Sequence, residues 1–172
     1  MGHKARSFLA HQVKIHTDRA HTKARIVKVD TREIEKELKK GHVILVAGFH
    51  GVDSENHITT LGRGGSDTSA VALAAALKAD VCEIYTDVDG VYTTDPNLCR
   101  AARKLDKVSY DEMLEMASAG AKVLHPRSVE LAKKYDVPVY VKSSFTDDKG
   151  TLVTKEDEEM EAVVVSGVTY DR

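Results

Sequence analysis

Apolar residues along this chain gather in short runs that alternate with helix signals from about residue 30 onward. Asp30 and Glu33 have the spacing of a capping box, Ile34 and Leu38 share a face, Glu35 and Lys39 stand four apart with opposite charge, and Gly41 is a stop. A short surface helix is predicted there. His42 to Phe49 follows as an unbroken apolar run, which suits a strand buried on both faces and so a parallel sheet. Ser66 to Lys78, rich in Ala and Leu and apolar on nearly every side, predicts a closely packed helix, and Val81 to Tyr85 the next buried strand.

Further on, Ser109 and Glu112 form a second capping-box pattern before Met113, Leu114, Met116 and Ala117, with Gly120 at the end. Pro126 suits the first turn of a helix running to about Tyr135, and Pro138 to Lys142 reads as a final core strand. The order strand, helix, strand, helix, strand argues for an α/β layered domain with right-handed crossovers. The first thirty residues carry short apolar runs such as Ala24 to Val29 without a sustained period. Beyond Gly150 a charged run, Lys155 to Glu161, precedes a strand-like stretch, Val163 to Val168.

Composition narrows the class. A chain of 172 residues, 42% hydrophobic, can bury one core of ordinary domain size. A net charge of -2 with mixed signs offers no basic surface for nucleic acid. The chain shows no signal-peptide core and no apolar run near the about 20 residues of a membrane span, so a soluble, cytoplasmic protein is expected. Cys82 and Cys99 lack a paired motif and read as reduced thiols. His11, His16 and His21 are spaced by five, wrong for one helical face, and no neighbouring acids or thiols complete a zinc set, so no metal-histidine site is expected.

The stretch with most chemical content is Thr59 to Asp67, T-T-L-G-R-G-G-S-D, ahead of the alanine-rich helix. Gly62, Gly64 and Gly65 open backbone angles closed to other residues. The helix start presents N–H groups and a positive dipole end, and Arg63 adds a fork suited to a carboxylate or phosphate. Two readings stand: an anion cradle, or a glycine turn in which Ser66 caps the helix. The loop is neither a Walker A loop, since Ser66 and Asp67 follow Gly65, nor the dinucleotide fingerprint. Asp67 would repel a phosphate unless a divalent cation intervenes or it binds a cationic part of a substrate; its alternative role is to offset the helix dipole. A second turn-rich stretch, Asp87 to Pro96, lies where a parallel strand would deliver its C-terminal end, the place where ligands bind in open α/β sheets.

Three strings, T-T-L-G-R-G-G-S-D-T-S-A-V-A-L-A-A-A-L (Thr59 to Leu77), Y-T-D-V-D-G-V-Y-T-T-D-P (Tyr85 to Pro96) and G-A-K-V-L-H-P-R-S-V-E (Gly120 to Glu130), resemble the aspartate kinases of the amino-acid kinase superfamily. The resemblance runs from about His21 through Leu152 and implies an incomplete amino-acid kinase (carbamate kinase-like) fold, an α/β three-layer sandwich with a mainly parallel sheet. Residues 1–154 would be part of the kinase domain, and 155–172 a linker and first strand of an ACT-like regulatory region. The implied reaction is transfer of the γ-phosphoryl of ATP, with Mg2+, to the side-chain carboxylate of L-aspartate, towards lysine, threonine and methionine.

The resemblance also implies roles. Arg63, Gly64, Gly65, Ser66 and Asp67 would bind aspartate, with Asp67 the catalytic candidate. Thr86, Asp87, Tyr92, Lys122 and Val123 would bind ATP. Read without the resemblance, Tyr92 is a turn-flanking aromatic, Lys122 a solvated helix-end lysine and Thr86 a strand-end hydroxyl. Asn97 stands where many family members have arginine, and Leu9 to Gln12, L-A-H-Q, departs from a common Gly-Trp-Gln, so neither contact carries over.

The family's Lys-Phe-Gly-Gly segment has no counterpart in this sequence. The isolated chain is therefore expected to be nearly inactive, with that segment as its missing partner and homo-oligomers possible. Alternatives from other classes are a non-catalytic nucleotide-binding or assembly module, or another amino-acid kinase such as an acetylglutamate or uridylate enzyme.

Overall fold

Short apolar runs set between glycine turns give short strands, and the stretches between them give four helices among the described residues. A computed structural model describes residues 2–121, 123–157 and 167–169. The chain divides into two units, Met1–Lys78 and Ala79–Arg172.

In the first unit, β1 (Ala5–Phe8) pairs in parallel with β4 (Val43–Val46). A second sheet has the order β3 (Ile26–Val29), β2 (Ile15–Thr17), β5 (His50–Val52), β6 (Ile58–Thr60). Its central pair is parallel, and β5–β6 is an antiparallel hairpin. Helices α1 (Arg32–Leu38) and α2 (Gly65–Leu77) complete the unit. Ala10, Val13, Ile15 and Ile34 form its core, with Phe8, Ile44, Val46, Leu73 and Leu77 packed against them.

The strand predicted from His42 to Phe49 is shorter, and it is not buried on both faces. Val43 and Leu45, on one face, are about half exposed (51% and 53%), while Ile44 and Val46 on the other face pack against the core. An unbroken apolar run reports the capacity for burial; within this unit only one face of the strand is covered. The capping box predicted at Asp30 and Glu33 is also absent. Thr31 precedes α1, and Asp30 instead takes the amide and guanidinium of Arg32. Glu35 accepts the Thr31 hydroxyl in place of the predicted pairing with Lys39. Gly41, with φ 75, ends the helix region as predicted.

In the second unit the sheet order is β7 (Cys82–Thr86), β9 (Val139–Ser143), β10 (Thr151–Thr154), β8 (Lys107–Ser109). Pro138 to Lys142 is therefore not the last core strand: β10 inserts between β9 and β8, antiparallel to the first and parallel to the second. Helix α3 (Tyr110–Ser118) begins with the complete Ser109–Glu112 capping box, and Gly120 follows at φ 111. Helix α4 (Pro126–Tyr135) has Pro126 in its first turn and His125 as its cap. Met113, Val129, Ala132, Val141 and Val153 are buried. Among the described residues four of seven strand pairings are parallel, β1–β4, β2–β5, β7–β9 and β8–β10, so the mixed α/β sheets are mainly parallel as predicted.

Two helices stop on left-handed residues that are not glycine: Lys78 (φ 53) after α2 and Asp136 (φ 52) after α4. Cys82 and Cys99 are free thiols. Most of the predicted strand Val163 to Val168 lies outside the described residues; of its vicinity, the Val168 amide bonds to the Thr93 carbonyl. No helix among the described residues is long and apolar enough to cross a membrane.

Candidate functional site

The glycine loop is a tight turn that launches α2. The Gly65 amide reaches back to the Gly62 carbonyl (3.0 Å), so Arg63 and Gly64 occupy the corner. Gly62 (φ 78) needs its missing side chain twice over: its backbone is left-handed, and a Cβ would sit 2.8 Å from the Thr22 carbonyl oxygen. Gly64 (φ 68) is the N-cap residue, so the helix has no side-chain cap, and Ser66 lies two positions further on, inside the first turn. This removes the reading of Ser66 as the cap. Arg63 and Ser66 are exposed and Asp67 is half-buried in the first turn of α2. A helix start without a capping side chain, an exposed guanidinium and a carboxylate thus lie within five residues. That set suits a ligand carrying both signs of charge better than a bare phosphate.

The wall beneath this loop comes from the segment after β4, which composition alone did not single out. Phe49 holds a left-handed backbone (φ 73), an outlier for an aromatic residue. Its amide donates to Ser69 Oγ (3.0 Å), its carbonyl accepts from the Leu61 amide (2.9 Å), and Ser69 Oγ donates to the Gly65 carbonyl (2.7 Å). A Cβ on Gly65 would fall 3.0 Å from both Phe49 Cδ2 and Leu61 Cβ, so Gly65 is needed for this close approach. The signal for Phe49 was present in G-F-H-G, an aromatic between glycines at the C-terminal end of a strand.

In the second unit the other candidates collect after β7. Thr86 Oγ1 donates to Asp87 (3.0 Å), and the Thr86 carbonyl accepts the Ser144 amide (2.8 Å). Asp87 is exposed. The turn then dives inward at Gly90, where a Cβ would meet Thr151 Oγ1 at 2.6 Å. Tyr92 is half-buried and its hydroxyl donates to Asp89 (3.0 Å to the nearer oxygen). Burial first, and the Asp89 carboxylate second, push the phenol above its ordinary pKa, so it stays a neutral donor. Val123 precedes the cap of α4 and is half-buried; Lys122 lies outside the described residues. Asn97 is exposed, its amide turned to Asp95 (2.8 Å).

Arg63, Ser66 and Asp67 are thus brought together in the first unit, and Thr86, Asp87 and Tyr92 in the second. Among the described residues no group of three or more His, Cys, Asp or Glu is arranged to hold a metal ion.

A glycine loop at a helix start, and a turn at the C-terminal end of a strand, lie where α/β proteins bind their ligands. The chain belongs to the amino acid kinase family, whose pattern it matches over residues 1–143. Among curated relatives it is 58% identical to an aspartate kinase of Stutzerimonas stutzeri over 172 residues, covering 99% of this chain and 42% of that protein. It is 52% identical to aspartokinase 2 of Bacillus subtilis, with 99% and 42% covered. The structure of E. coli aspartokinase III in complex with aspartate and ADP superposes with a TM-score of 0.81 at 38% identity, over 90% of this chain and 35% of that one. The chain spans less than half the length of the curated relatives it matches.

Proposed function

We propose that this chain carries the aspartate- and nucleotide-recognising part of an aspartate kinase, which transfers the γ-phosphoryl of ATP to the L-aspartate side chain, forming 4-phospho-L-aspartate and ADP. The observation that carries this reading is Arg63 and Asp67 flanking the uncapped start of α2. Aspartate presents two carboxylates and one ammonium, so it needs both signs of charge in one place. Arg63 answers a carboxylate bidentately and Asp67 the ammonium, each bond worth about 1.5–3 kcal/mol. Gly64, Gly65 and Ser66 bring the backbone close, and Asp67 is the candidate nearest the chemistry.

Thr86, Asp87, Tyr92, Lys122 and Val123 are the proposed nucleotide contacts. Mg2+ suits the second unit's donor set, since that ion asks for only one or two carboxylates beside substrate phosphates and water, and Asp87 is an exposed carboxylate at the end of β7. The ion would neutralise the phosphates. The side-chain carboxylate oxygen of aspartate then attacks the γ-phosphorus in line as the bond to the β-phosphate oxygen breaks, and the protein's own part is positioning and fixed charge. Residues 155–172 would lead into a regulatory region. The parent would be a cytoplasmic, homo-oligomeric enzyme of lysine, threonine and methionine synthesis.

The test is a phosphotransferase assay with Mg-ATP and L-aspartate, run with and without a separately supplied N-terminal portion of a relative's kinase domain. Activity that appears with the added portion and is abolished by Arg63→Ala supports the reading. Turnover of a different acceptor only, or nucleotide binding without any transfer under either condition, sinks it.

A further inference from the structure

We infer that Lys104 is a positioning residue of the proposed nucleotide site, holding Tyr92 in place through Asp89 while tying that turn to the loop at Asp148. The inference rests on the reading of Tyr92 as a nucleotide contact. Four side chains stand in a chain: the Tyr92 hydroxyl donates to Asp89, Asp89 Oδ2 lies 3.6 Å from Lys104 Nζ, and Lys104 Nζ bonds to Asp148. Lys104 belongs to the segment between the T-D-V-D-G-V-Y turn and β8, and its backbone faces Tyr92 in an isolated antiparallel bridge. The stem of the same side chain covers Gly90, where an added Cβ would meet Lys104 Cδ at 3.0 Å. One lysine therefore touches the turn at its glycine, its acid and its tyrosine.

Charge explains why a lysine is needed. Asp89 and Asp148 come from different loops and converge on one ammonium that is only 23% exposed. Remove the cation and two carboxylates are left facing each other in a partly desolvated space, which like-charge repulsion would open. Asp89 would then leave the Tyr92 hydroxyl. Asp148 is the main reason the Lys104 ammonium is held more strongly protonated than usual, and Lys104 in turn keeps the Asp148 carboxyl ionised. The far loop is itself anchored: Ser144 bonds to Thr86, and Gly150 (φ 76) packs against the Val141 carbonyl. The residues proposed for the nucleotide, Thr86 and Tyr92, are thus fixed from the same neighbouring loop, one by backbone and one through Lys104.

The experiment is titration of this chain with ADP, with thermal unfolding of each variant as the control. Lys104→Met is expected to weaken ADP binding about tenfold, the scale of one charge-assisted hydrogen bond, with little change in melting. Lys104→Arg is expected to restore affinity, and Lys104→Met to have no further effect in a Tyr92→Ala background. Wild-type affinity in Lys104→Met, with Tyr92→Ala weakened, overturns the positioning role and leaves the nucleotide reading standing. Unchanged affinity in Tyr92→Ala, or no ADP binding by the wild-type chain, defeats the nucleotide reading instead. NMR relaxation of the Tyr92 ring reads the contact independently of ADP: a ring as ordered in Lys104→Met as in wild type overturns the inference, and a freed ring supports the hold of Lys104 on Tyr92 through Asp89. Asp148→Asn, which keeps the lysine stem, serves if Lys104→Met does not fold.

Discussion

The Ser69 hydroxyl accepts from the Phe49 amide at 3.0 Å and donates to the Gly65 carbonyl at 2.7 Å, so one side chain ties a left-handed aromatic residue to the first turn of α2. That tie sets the distance between the loop after β4 and the glycine loop. Ser69→Ala leaves a partly buried amide unpaired and should cost about 1–3 kcal/mol, measured as a shift in the urea midpoint at constant slope. If the glycine loop recognises aspartate, the same variant weakens aspartate in calorimetric titration, although Ser69 itself is buried at 1% exposure. A midpoint identical to wild type would mean that the Phe49 amide does not depend on Ser69.

Gly150 and Gly41 share a left-handed backbone (φ 76 and 75) and differ in surroundings. A Cβ on Gly150 would fall on the Val141 carbonyl oxygen, while nothing lies within 4 Å of one on Gly41. Gly41→Ala should therefore cost about 1–2 kcal/mol of backbone strain alone. Gly150→Ala should cost at least about 3 kcal/mol, because strain and overlap add where β9 turns into β10. Equal losses in chemical denaturation would show that the Val141 contact yields without penalty.

Glu37 is almost fully buried in α1 and bonds to Lys40 and His42, with Arg6 at 3.6 Å. The Lys40 ammonium foremost, then His42, hold its carboxyl at about 2, below the ordinary 4.5. A depressed acid contributes stability that is complete above the unfolded value and vanishes as pH falls through the folded one. Wild type should therefore exceed Glu37→Gln in stability above about pH 5, with the gap closing between 4.5 and 2. A gap independent of pH over that range would show that packing, not ionisation, is what Glu37 contributes.

Tyr110 is buried against the opposite circumstance. Among the described residues its hydroxyl has no hydrogen-bond partner, and burial pushes its phenol up to about 12; Thr154 acts the other way without meeting bonding geometry. Deleting an unsatisfied buried hydroxyl removes its desolvation penalty. Tyr110→Phe should be neutral to stabilising by about 1 kcal/mol, and a loss of more than that in urea would reveal a partner for the hydroxyl.

Local chemistry was legible wherever neighbours in sequence are also the partners. Ser109 and Glu112 cap α3 reciprocally, and Pro126 opens α4, because both signals act within one turn. Asp30 and Glu33 carry the same spacing as Ser109 and Glu112 yet form no box, since the Arg32 guanidinium captures Asp30 first. The pattern could not weigh that competitor. Strand β10 was missed because Thr151 to Thr154 is only four residues long, and its place between β9 and β8 depends on partners far away in sequence. The glycine loop was recognisable from its three glycines and Arg63. Phe49 left only the fainter mark of G-F-H-G at a strand end, because its role lies in a backbone angle and a hydrogen bond to Ser69 rather than in composition.

The left-handed ends of α2 and α4 offer a lever on thermal tolerance that leaves the chemistry alone. Lys78 and Asp136 each hold a conformation that glycine adopts freely, and Lys78 stands at the far end of a 13-residue helix, about 20 Å from Gly64. Glycine at these two positions is where a hardier version of the chain would begin. Phe49, strained in the same region of conformational space, is the residue such engineering should leave untouched.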